Sequence, residues 1–209
     1  MKAPDTATAT TRHRLLEAAI TLMRRSGLSG AGINEIVRES GAPKGSVYHH
    51  FPGGKEQIVG EGLAQYSLRV VAFIEASLSR KRRPGDKIKA LFDAYAARIE
   101  EGAFRHSCPV GTVCLDLDAD VESLRPVVAD AFAQYVQAIA AHLPFEDRRR
   151  SASFAGLVLS AIEGAYIRGR ADRSSKPFRE AGAWLAELAE RESRTPGRQL
   201  RRSSRRVPA

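Results

Sequence analysis

The chain has 209 residues, 43% of them hydrophobic, and carries a net charge of +9. This length is enough for one sizeable core, or for a small domain together with a larger one. No apolar run reaches the roughly 18 residues that a membrane span requires, and the first residues show no secretory h-region. Cys108 and Cys114 are too few for a disulfide framework. We therefore expect a cytoplasmic protein with no membrane partner.

The excess positive charge lies at the two ends of the chain. Residues 51–193 hold twenty basic and twenty acidic side chains, whereas residues 1–50 carry a net +3 and residues 194–209 a net +6. This distribution indicates that the basic N-terminal part, the head, binds a polyanion. The neutral part that follows, the body, then has another function. For the C-terminal arginines, a solvated tail without such a contact is an equal alternative.

Helical periodicity predicts an all-α fold of about nine helices. Residues 1–10 are rich in Thr and Ala and are predicted to form a disordered arm, after which Thr10 or Thr11 caps the first helix. One buried stripe is predicted at Leu15, Ala18, Ala19, Leu22 and Met23. Gly27 is expected to end this helix.

Two short helices are predicted next. Gly41 supplies the turn between them, and Pro43 fits the first turn of the third helix because its fixed φ suits that position. Val47 and Phe51, four residues apart, anchor the third helix in the core. Pro52-Gly53-Gly54 then ends it.

The remainder of the chain is also predicted to be helical. A long helix runs from Lys55 to about Ser79. Further helices are expected at roughly 86–102, 108–117, 122–142, 147–170 and 177–192. The last sixteen residues, RTPGRQLRRSSRRVPA, have the composition of a disordered tail.

The third helix is predicted to present polar and aromatic groups on the side opposite its buried face. With Val47 pointing inward, helical geometry puts Gly45 and His49 on the opposite face, with Ser46 and Tyr48 beside them. Two short helices with such an outer surface are typical of proteins that bind the major groove of duplex DNA. The alternative is a three-helix bundle with no role in DNA binding.

The residues of this segment suit particular contacts in the major groove of DNA. Lys44, near the helix N-terminus, suits a guanine edge, and Gly45 lets the backbone approach the groove floor. The Lys55 side chain adds charge to a helix N-terminus that already favours phosphate. The predicted DNA contacts are Asn34, Lys44, Gly45, Ser46, Tyr48, His49, His50 and Lys55. His50 could equally be a hydrogen-bonded core histidine.

These residues resemble the DNA-binding domain of the TetR family of bacterial repressors. Gly41, Lys44-Gly45-Ser46-Val47-Tyr48-His49-His50-Phe51 and Lys55-Glu56 match the family pattern over about residues 12–60. Pro52-Gly53-Gly54, together with Cys108-Pro109-Val110, is similar to the LmrA/YxaF-like branch. The family usually has a phosphate-binding Thr at the start of the second helix. Here Ala31-Gly32 stands at that place, and Ser29 is the candidate substitute.

The resemblance implies a body that binds a small inducer and dimerises through its last two long helices. It also implies a homodimeric repressor on a palindromic operator. The alternative is a constitutive or nucleoid-type DNA-binding protein without an effector. The predicted division is a disordered arm (1–10), a helix-turn-helix DNA-binding domain (11–55), a ligand-binding and dimerisation domain (56–193) and a basic disordered tail (194–209).

Spacing in the last two helices provides candidates for the dimer interface. Gly156, Ser160 and Gly164 recur every four residues, and such a stripe of small residues lets helices approach closely. The following helix carries an apolar seam with a tryptophan beside it: Phe178, Ala181, Leu185 and Leu188, with Trp184. The alternative for both sets is ordinary packing within one subunit.

Aromatic residues on the central helices are candidates for lining a pocket that holds a flat, apolar or phenolic ligand. They are Phe92, Tyr95, Phe104, Phe132, Tyr135 and Tyr166. Glu163, on an otherwise apolar helix, is the polar candidate. The alternative is a core position for each aromatic residue and an exposed helix face for Glu163.

No pattern in the chain indicates enzymatic chemistry. The sequence contains no HExxH, no CxxC pair, no nucleophile motif and no phosphate-binding glycine loop. Cys108 precedes Pro109 at a helix start, which is expected to lower its thiol pKa. His106 and the nearby aspartates have no recognisable metal-ligand spacing. We expect no metal and no cofactor.

Overall fold

The computed structural model describes residues 6–194, with side chains placed for 11–118 and 121–194. This part of the chain contains nine α-helices, one 3₁₀ segment and no β-strand, which confirms the all-α prediction. The helices are α1 (Thr6–Ser26), α2 (Ile33–Ser40), α3 (Ser46–His50), α4 (Gly54–Ser79), α5 (Pro84–Glu101), α6 (Pro109–Leu115), α7 (Arg125–Ala140), α8 (Arg148–Asp172) and α9 (Lys176–Ser193). The 3₁₀ segment is Ala119–Leu124.

Helix α1 begins at Thr6, so the prediction of a disordered arm is wrong for residues 6–10. This stretch contains no Pro or Gly, and Ala7 and Ala9 are strong helix formers, so the helix extends beyond the predicted caps. Residues 1–5 lie outside the described range. So does the predicted tail, apart from Arg194.

Helix α3 is shorter than predicted, because it begins at Ser46 and not near Pro43. Lys44 and Gly45 form a turn ahead of it, in which Ser46 N donates to Pro43 O over 3.0 Å. A glycine at position 45 disfavours an earlier start, since Gly loses more conformational freedom in a helix than other residues.

The N-terminal helices α1, α2 and α3 pack with the first part of α4 around one apolar core. The predicted α1 stripe is buried along its whole length, and Ile36 of α2 and Val47 of α3 are fully buried against it. Two ion pairs, Arg12–Glu61 and Arg69–Glu17, tie α1 to α4 at the surface. Helix α4 therefore belongs to both the head and the body of the molecule.

The body is formed by α4 to α9 around a core rich in aromatic rings. Helix α5 lies along α9, α4 packs on α7, and α8 packs on both α7 and α9. The Tyr95 ring lies at the centre, 5.9 Å from the Tyr166 ring and 6.3 Å from a nearly parallel Phe178 ring, measured between centroids. Among the described residues, no helix is both long and apolar enough to cross a bilayer.

Candidate functional site

The surface formed by the α2–α3 turn and α3 presents its polar groups outward. Gly41 ends α2 in the left-handed conformation with φ +62°, which a residue without a side chain adopts readily. Val47 and Phe51 are buried and fix α3 to the core. On the opposite side, Tyr48 is 59% exposed and its neighbour His49 is also exposed. The predicted inward and outward faces of this helix are therefore the observed ones.

Lys44 and Gly45 project from the turn in front of α3 and are both exposed. None of the ion pairs found among the described head residues involves Lys44: they join Arg12 to Glu61, His13 and Arg69 to Glu17, Arg25 to Glu39 and Arg38 to Glu35. A Cβ added at Gly45 would meet no atom within 4 Å. The fold thus leaves Lys44 available and keeps open space above the Gly45 backbone.

The other predicted DNA contacts differ in how freely they are presented. Asn34 is exposed on α2, whose N-cap Gly32 makes no side-chain capping bond. Lys55 is half-buried in the first turn of α4. The Ser46 hydroxyl donates to Pro43 O over 2.6 Å, so it already has a partner in the turn.

His50 lies between the exposed surface and the core. Its ring centroid is 5.0 Å from that of His49 and 6.4 Å from that of Phe51. Desolvation, followed by the charges of His49 and Arg12, lowers the pKa of His50 below its usual value. This environment favours the neutral ring, and half-burial fits both a packing role and a contact at the edge of the surface.

A cavity of about 210 Å³ lies in the body between α6, α7 and α8. Its lining is mainly apolar and includes Cys108, Gly111, Leu115, Phe132, Glu163, Tyr166 and Ile167. Three of the predicted pocket residues, Phe132, Glu163 and Tyr166, are among them. The residues missed by the prediction lie mostly on or next to α6, where Gly111 leaves room beside the α8 side chains.

The other four aromatic residues predicted for the pocket do not line this cavity. Phe92, Tyr95 and Tyr135 are buried in the core, and the Tyr135 hydroxyl lies 3.2 Å from Ser67 Oγ. Phe104 lines a separate surface depression with Arg25, Arg105, Arg170 and Arg173. Helical spacing shows that an aromatic side chain points inward, but it does not distinguish a filled core from a cavity wall.

Glu163 brings a carboxyl group to the cavity wall. Its Oε2 lies so close to α6 that a Cβ added at Gly111 would approach it to 2.4 Å. The Cys108 side chain hydrogen-bonds to this carboxylate, and a thiol can act only as the donor in that pair. Desolvation raises the pKa of Glu163 to about 7, despite the opposing effect of the Cys108 hydrogen bond.

The Cys108 thiol is buried, and the prediction of a lowered pKa is wrong. Burial first, and then the Glu163 charge, raise its pKa well above the ordinary value. Two backbone N–H groups of the α6 turn lower it, but they do not outweigh these effects. A thiol in this state is a poor nucleophile, and both cysteines are free of disulfides.

Residues of α6 and next to it also hold the end of α1 and the turn that follows it. Asp116 Oδ2 accepts hydrogen bonds from Leu28 N over 2.7 Å, from Ser29 N over 3.2 Å and from Ser29 Oγ over 3.3 Å. Thr112 Oγ1 donates to Met23 O over 2.8 Å. The hydroxyl of Ser29 is thus engaged within the protein, so our expectation that it replaces the phosphate-binding Thr of the family is not supported.

Two further groups of the body complete these contacts with the C-terminal turn of α1. Ser107 N donates to Arg24 O over 2.8 Å, and the Arg170 guanidinium donates to Arg25 O over 3.3 Å. The last carbonyls of a helix have no partner within the helix. We call Ser107, Thr112, Asp116 and Arg170 the α1-holding cluster. Through it, the cavity-lining segment around α6 is directly bonded to the N-terminal helices.

Comparison with known proteins relates both halves of the chain to regulators. The family described as "Bacterial regulatory proteins, tetR family" matches residues 15–61, and "Transcriptional regulator LmrA/YxaF-like, C-terminal domain" matches residues 84–184. An uncharacterized HTH-type transcriptional regulator of Mycobacterium tuberculosis is 30% identical over 195 residues, covering 86% of this chain and 97% of the relative.

This chain belongs to the TetR family of transcriptional regulators.

Other relatives place it more narrowly within the TetR family. The HTH-type transcriptional regulator LmrA of Bacillus subtilis is 28% identical, with 86% of this chain and 97% of that protein covered. The HTH-type transcriptional repressor KstR2 of Mycolicibacterium smegmatis is 34% identical over 100 residues, 47% of this chain and 48% of the relative. The resemblance to the LmrA/YxaF-like branch is confirmed.

Solved structures show the same fold. The TetR regulatory protein of Rhodobacter sphaeroides superposes with a TM-score of 0.76 at 17% identity, covering 85% of this chain and 97% of that one. TetR-family proteins are DNA-binding transcriptional regulators and not enzymes. The helix-turn-helix of this TetR-family chain is therefore its DNA-binding element.

In this TetR-family chain, α8 and α9 leave apolar side chains at the surface. Trp184 is 73% exposed, Ile167 63% and Leu157 48%. The predicted small residues lie on the same side of α8. Ser160 is exposed, and a Cβ at Gly156 or Gly164 would meet nothing within 4 Å.

Two of the predicted interface residues do not belong to this surface. Phe178 and Leu185 are buried within the subunit, where Phe178 packs on Tyr166 with ring centroids 5.1 Å apart. Ala181 and Leu188 are half-buried at its edge. The heptad-like seam on α9 therefore faces the subunit's own core, because α9 must first cover α5. The exposed Trp184 lies beside that seam.

Proposed function

We propose that this TetR-family protein is a homodimeric repressor that a small apolar or aromatic ligand releases from a palindromic operator. The observation that carries the proposal is the position of α6. Gly111 and Thr112 line the cavity, and Thr112 together with Asp116 also holds the end of α1 and the turn that follows it. The name of the Mycolicibacterium smegmatis relative, a transcriptional repressor, supports the direction of regulation. Binding to chromosomal DNA puts its site of action in the cytoplasm.

For the DNA contacts, we propose a division between base and backbone groups. Lys44, presented from the turn ahead of α3, is assigned to a guanine edge, and Gly45 to close approach of the backbone. Tyr48 and His49, on the exposed face, are assigned to phosphate or sugar. The groups assigned to the rim of the interface are Asn34, Ser46, His50 and Lys55. We retain residues 11–55 as the DNA-binding domain and 56–193 as the ligand-binding and dimerisation domain.

For the dimer, we propose that the exposed α8–α9 surface faces a second copy of the chain. Exposed Leu157, Ile167 and Trp184 supply apolar area, while Gly156 and Gly164 permit close approach of α8 from the partner. A two-fold dimer places two copies of α3 in successive major grooves, about 34–36 Å apart.

For release, we propose that a ligand in the cavity favours a different position of α6. Movement of Thr112 and Asp116 alters the orientation of α1, and the two α3 helices then no longer match the groove spacing. Such coupling requires that the ligand bind the released arrangement more tightly than the DNA-bound one.

The test is a salt series of binding to the DNA upstream of the protein's own gene, with a scrambled duplex of equal length as control. We expect a large affinity advantage for the upstream duplex and a steep fall of both affinities with salt. A cavity ligand should then weaken binding to the upstream duplex alone. Equal binding to operator-bearing and scrambled duplexes would favour a nucleoid-type protein, and an unchanged operator affinity with ligand would remove the effector from the proposal.

A further inference from the structure

The cavity between α6, α7 and α8 has an uncompensated acidic group in its wall. Glu163 contributes a carboxyl group, whereas no Lys, Arg or His is among the described residues that line the cavity. The rest of the lining is mostly apolar, with the rings of Phe132 and Tyr166 on two sides. A ligand in this cavity therefore meets one acidic group, which is negative when it is ionised.

The protein itself provides Glu163 with little stabilisation of its negative charge. Its hydrogen-bond partner is the Cys108 thiol, which is a weak donor. Gly111 admits the carboxylate to the α6 backbone without adding a polar side chain there. Burying a carboxylate without a counter-charge is costly, so the site is suited to a ligand that brings one.

We propose that the cavity binds a protonated organic amine with an apolar body, whose ammonium group pairs with the Glu163 carboxylate. This proposal rests on the proposed function, since it names the class of ligand for the same cavity. Phe132 and Tyr166 also line the cavity, and aromatic rings attract a cation. With about 210 Å³, the cavity is smaller than the roughly 300–1,000 Å³ of common ligand sites, so the body is small.

The charge of Glu163 sets the selectivity. An ammonium ion gains a direct ion pair in a poorly hydrated space, where a charged pair is stronger than at the surface. A neutral alcohol of the same shape gains a hydrogen bond but no ion pair. A carboxylate of the same shape is repelled while Glu163 is ionised, and no basic side chain among the described lining residues offsets that repulsion.

Other titratable groups around Glu163 keep a constant charge near neutral pH. Burial raises the pKa values of all the neighbouring tyrosines and of the cysteine, so they remain neutral. These groups are Tyr66 of α4, Tyr95 of α5, Tyr135 of α7, Tyr166 of α8 and Cys108 ahead of α6. Arg24 of α1 and Arg98 of α5 lie over the Tyr66 ring. The pKa of His106 is lowered by burial first and then by Arg24 and other arginines.

The test uses three naphthalene probes of nearly equal shape: 2-naphthylmethylamine, 2-naphthylmethanol and 2-naphthoate. Each is titrated into the full chain by calorimetry at about pH 8. We expect the amine to bind at least about tenfold more tightly than the alcohol, and the carboxylate to bind more weakly than both. Glu163→Gln should remove the advantage of the amine, whereas Glu75→Gln, at an exposed position of α4, should retain it.

A second measurement needs no variant and therefore does not depend on whether Glu163→Gln folds. Because the pKa of Glu163 lies at about 7, its ionised fraction rises about tenfold between pH 6 and pH 8, while the probe amine stays largely protonated. We expect the amine affinity to rise by about tenfold over this range and the alcohol affinity to stay flat. A flat amine profile, binding of none of the probes, or an amine preference that survives Glu163→Gln would overturn the proposal.

The same probes separate this proposal from the proposed function. If the amine binds through Glu163 but leaves operator affinity unchanged, the ligand class stands and induction from this cavity fails. If a neutral compound releases the operator through this cavity while the amine does not bind, induction stands and the ligand class is overturned. Operator release by the amine that disappears in Glu163→Gln supports both.

Discussion

The surface around α3 and the segment around α6 use their polar groups in opposite ways. Lys44, Tyr48 and His49 point away from the core and are exposed. Around α6, by contrast, Thr112 is bonded to α1, Asp116 to the turn that follows α1, and Cys108 to Glu163. The polar side chains around α3 are available to bind a partner, whereas those around α6 form hydrogen bonds that join two parts of the molecule. Substitutions should therefore alter binding in the first and folding or coupling in the second.

The largest expected effect is that of Glu163→Gln on stability at alkaline pH. Since the folded-state pKa of about 7 is above the ordinary 4.5, the contribution of neutral Glu163 to stability is full below about pH 4.5 and is lost as pH rises through 7. The shift corresponds to about 3 kcal/mol. Urea unfolding at several pH values measures the free energy of unfolding of both proteins. Relative to the wild type, that of Glu163→Gln should rise by this amount between acid and alkaline pH.

The matched control for this measurement is Glu75→Gln, at an exposed position on α4. Its unfolding free energy should follow that of the wild type at every pH. A Glu163→Gln profile parallel to that of the wild type would mean that the carboxyl is well solvated, and the contrast between the two regions would be weaker.

Asp116→Ala should have the next largest effect. It removes the shared acceptor of Leu28 N, Ser29 N and Ser29 Oγ and leaves a part-buried N–H without a partner. We expect a loss of about 2 kcal/mol in the free energy of unfolding. Asp130→Ala, which removes only a surface bond to Gln134, should cost less than about 0.5 kcal/mol. Equal losses for the two variants would contradict a special role for α6.

Lys44→Ala should change DNA binding without changing stability. Loss of a base contact should weaken operator binding by about 1–3 kcal/mol and relax specificity at one position. Unfolding should stay within about 0.5 kcal/mol of wild type, since the side chain is exposed. Lys89→Ala, on α5, removes the same charge from the body and serves as the control in gel-shift titrations. Equal weakening of operator and scrambled DNA would reduce Lys44 to a phosphate contact.

A small effect on stability is expected for Gly45→Ala. Gly45 has φ −64° and open space at the Cβ position, so alanine fits and should leave stability unchanged or raise it by up to about 1 kcal/mol. Gly41→Ala also has open space, but its φ is +62°, and it should destabilise by about 1 kcal/mol. Thermal unfolding distinguishes the two. If the Gly45 backbone lies close to the floor of the DNA groove, the added methyl group should weaken operator binding. An unchanged operator affinity would argue against that contact.

Local sequence patterns predicted the elements that depend on local physics. The buried stripe of α1 follows a 3.6-residue period, and the outward face of α3 follows from the anchoring of Val47. The helix starts were less predictable. The Thr/Ala run before residue 11 contains nothing that prevents a helix, and Gly45 delays the start of α3 although Pro43 is well suited to one.

Features that depend on contacts between distant segments were not predictable from spacing. Tyr95 and Tyr166 both carry a ring inward on a helix, but only Tyr166 reaches the cavity. The seam that Phe178 shares with Leu185 predicts an interface, whereas both side chains are buried within the subunit, where α9 packs on α5 and α8. The hydrogen bond from Leu28 N to Asp116 joins residues 88 positions apart, which no local pattern encodes.

Trp184 is the one tryptophan of the chain and lies at the α8–α9 surface, away from the cavity lining and from α3. Its intrinsic fluorescence is therefore an optical reporter of what covers that surface. In an isolated subunit the indole is in water and emits at long wavelength. Association through α8 and α9 would shift the emission to shorter wavelength as the protein is concentrated, without any label or substitution. The protein thus contains its own spectroscopic probe of subunit assembly, separate from any signal of DNA or ligand binding.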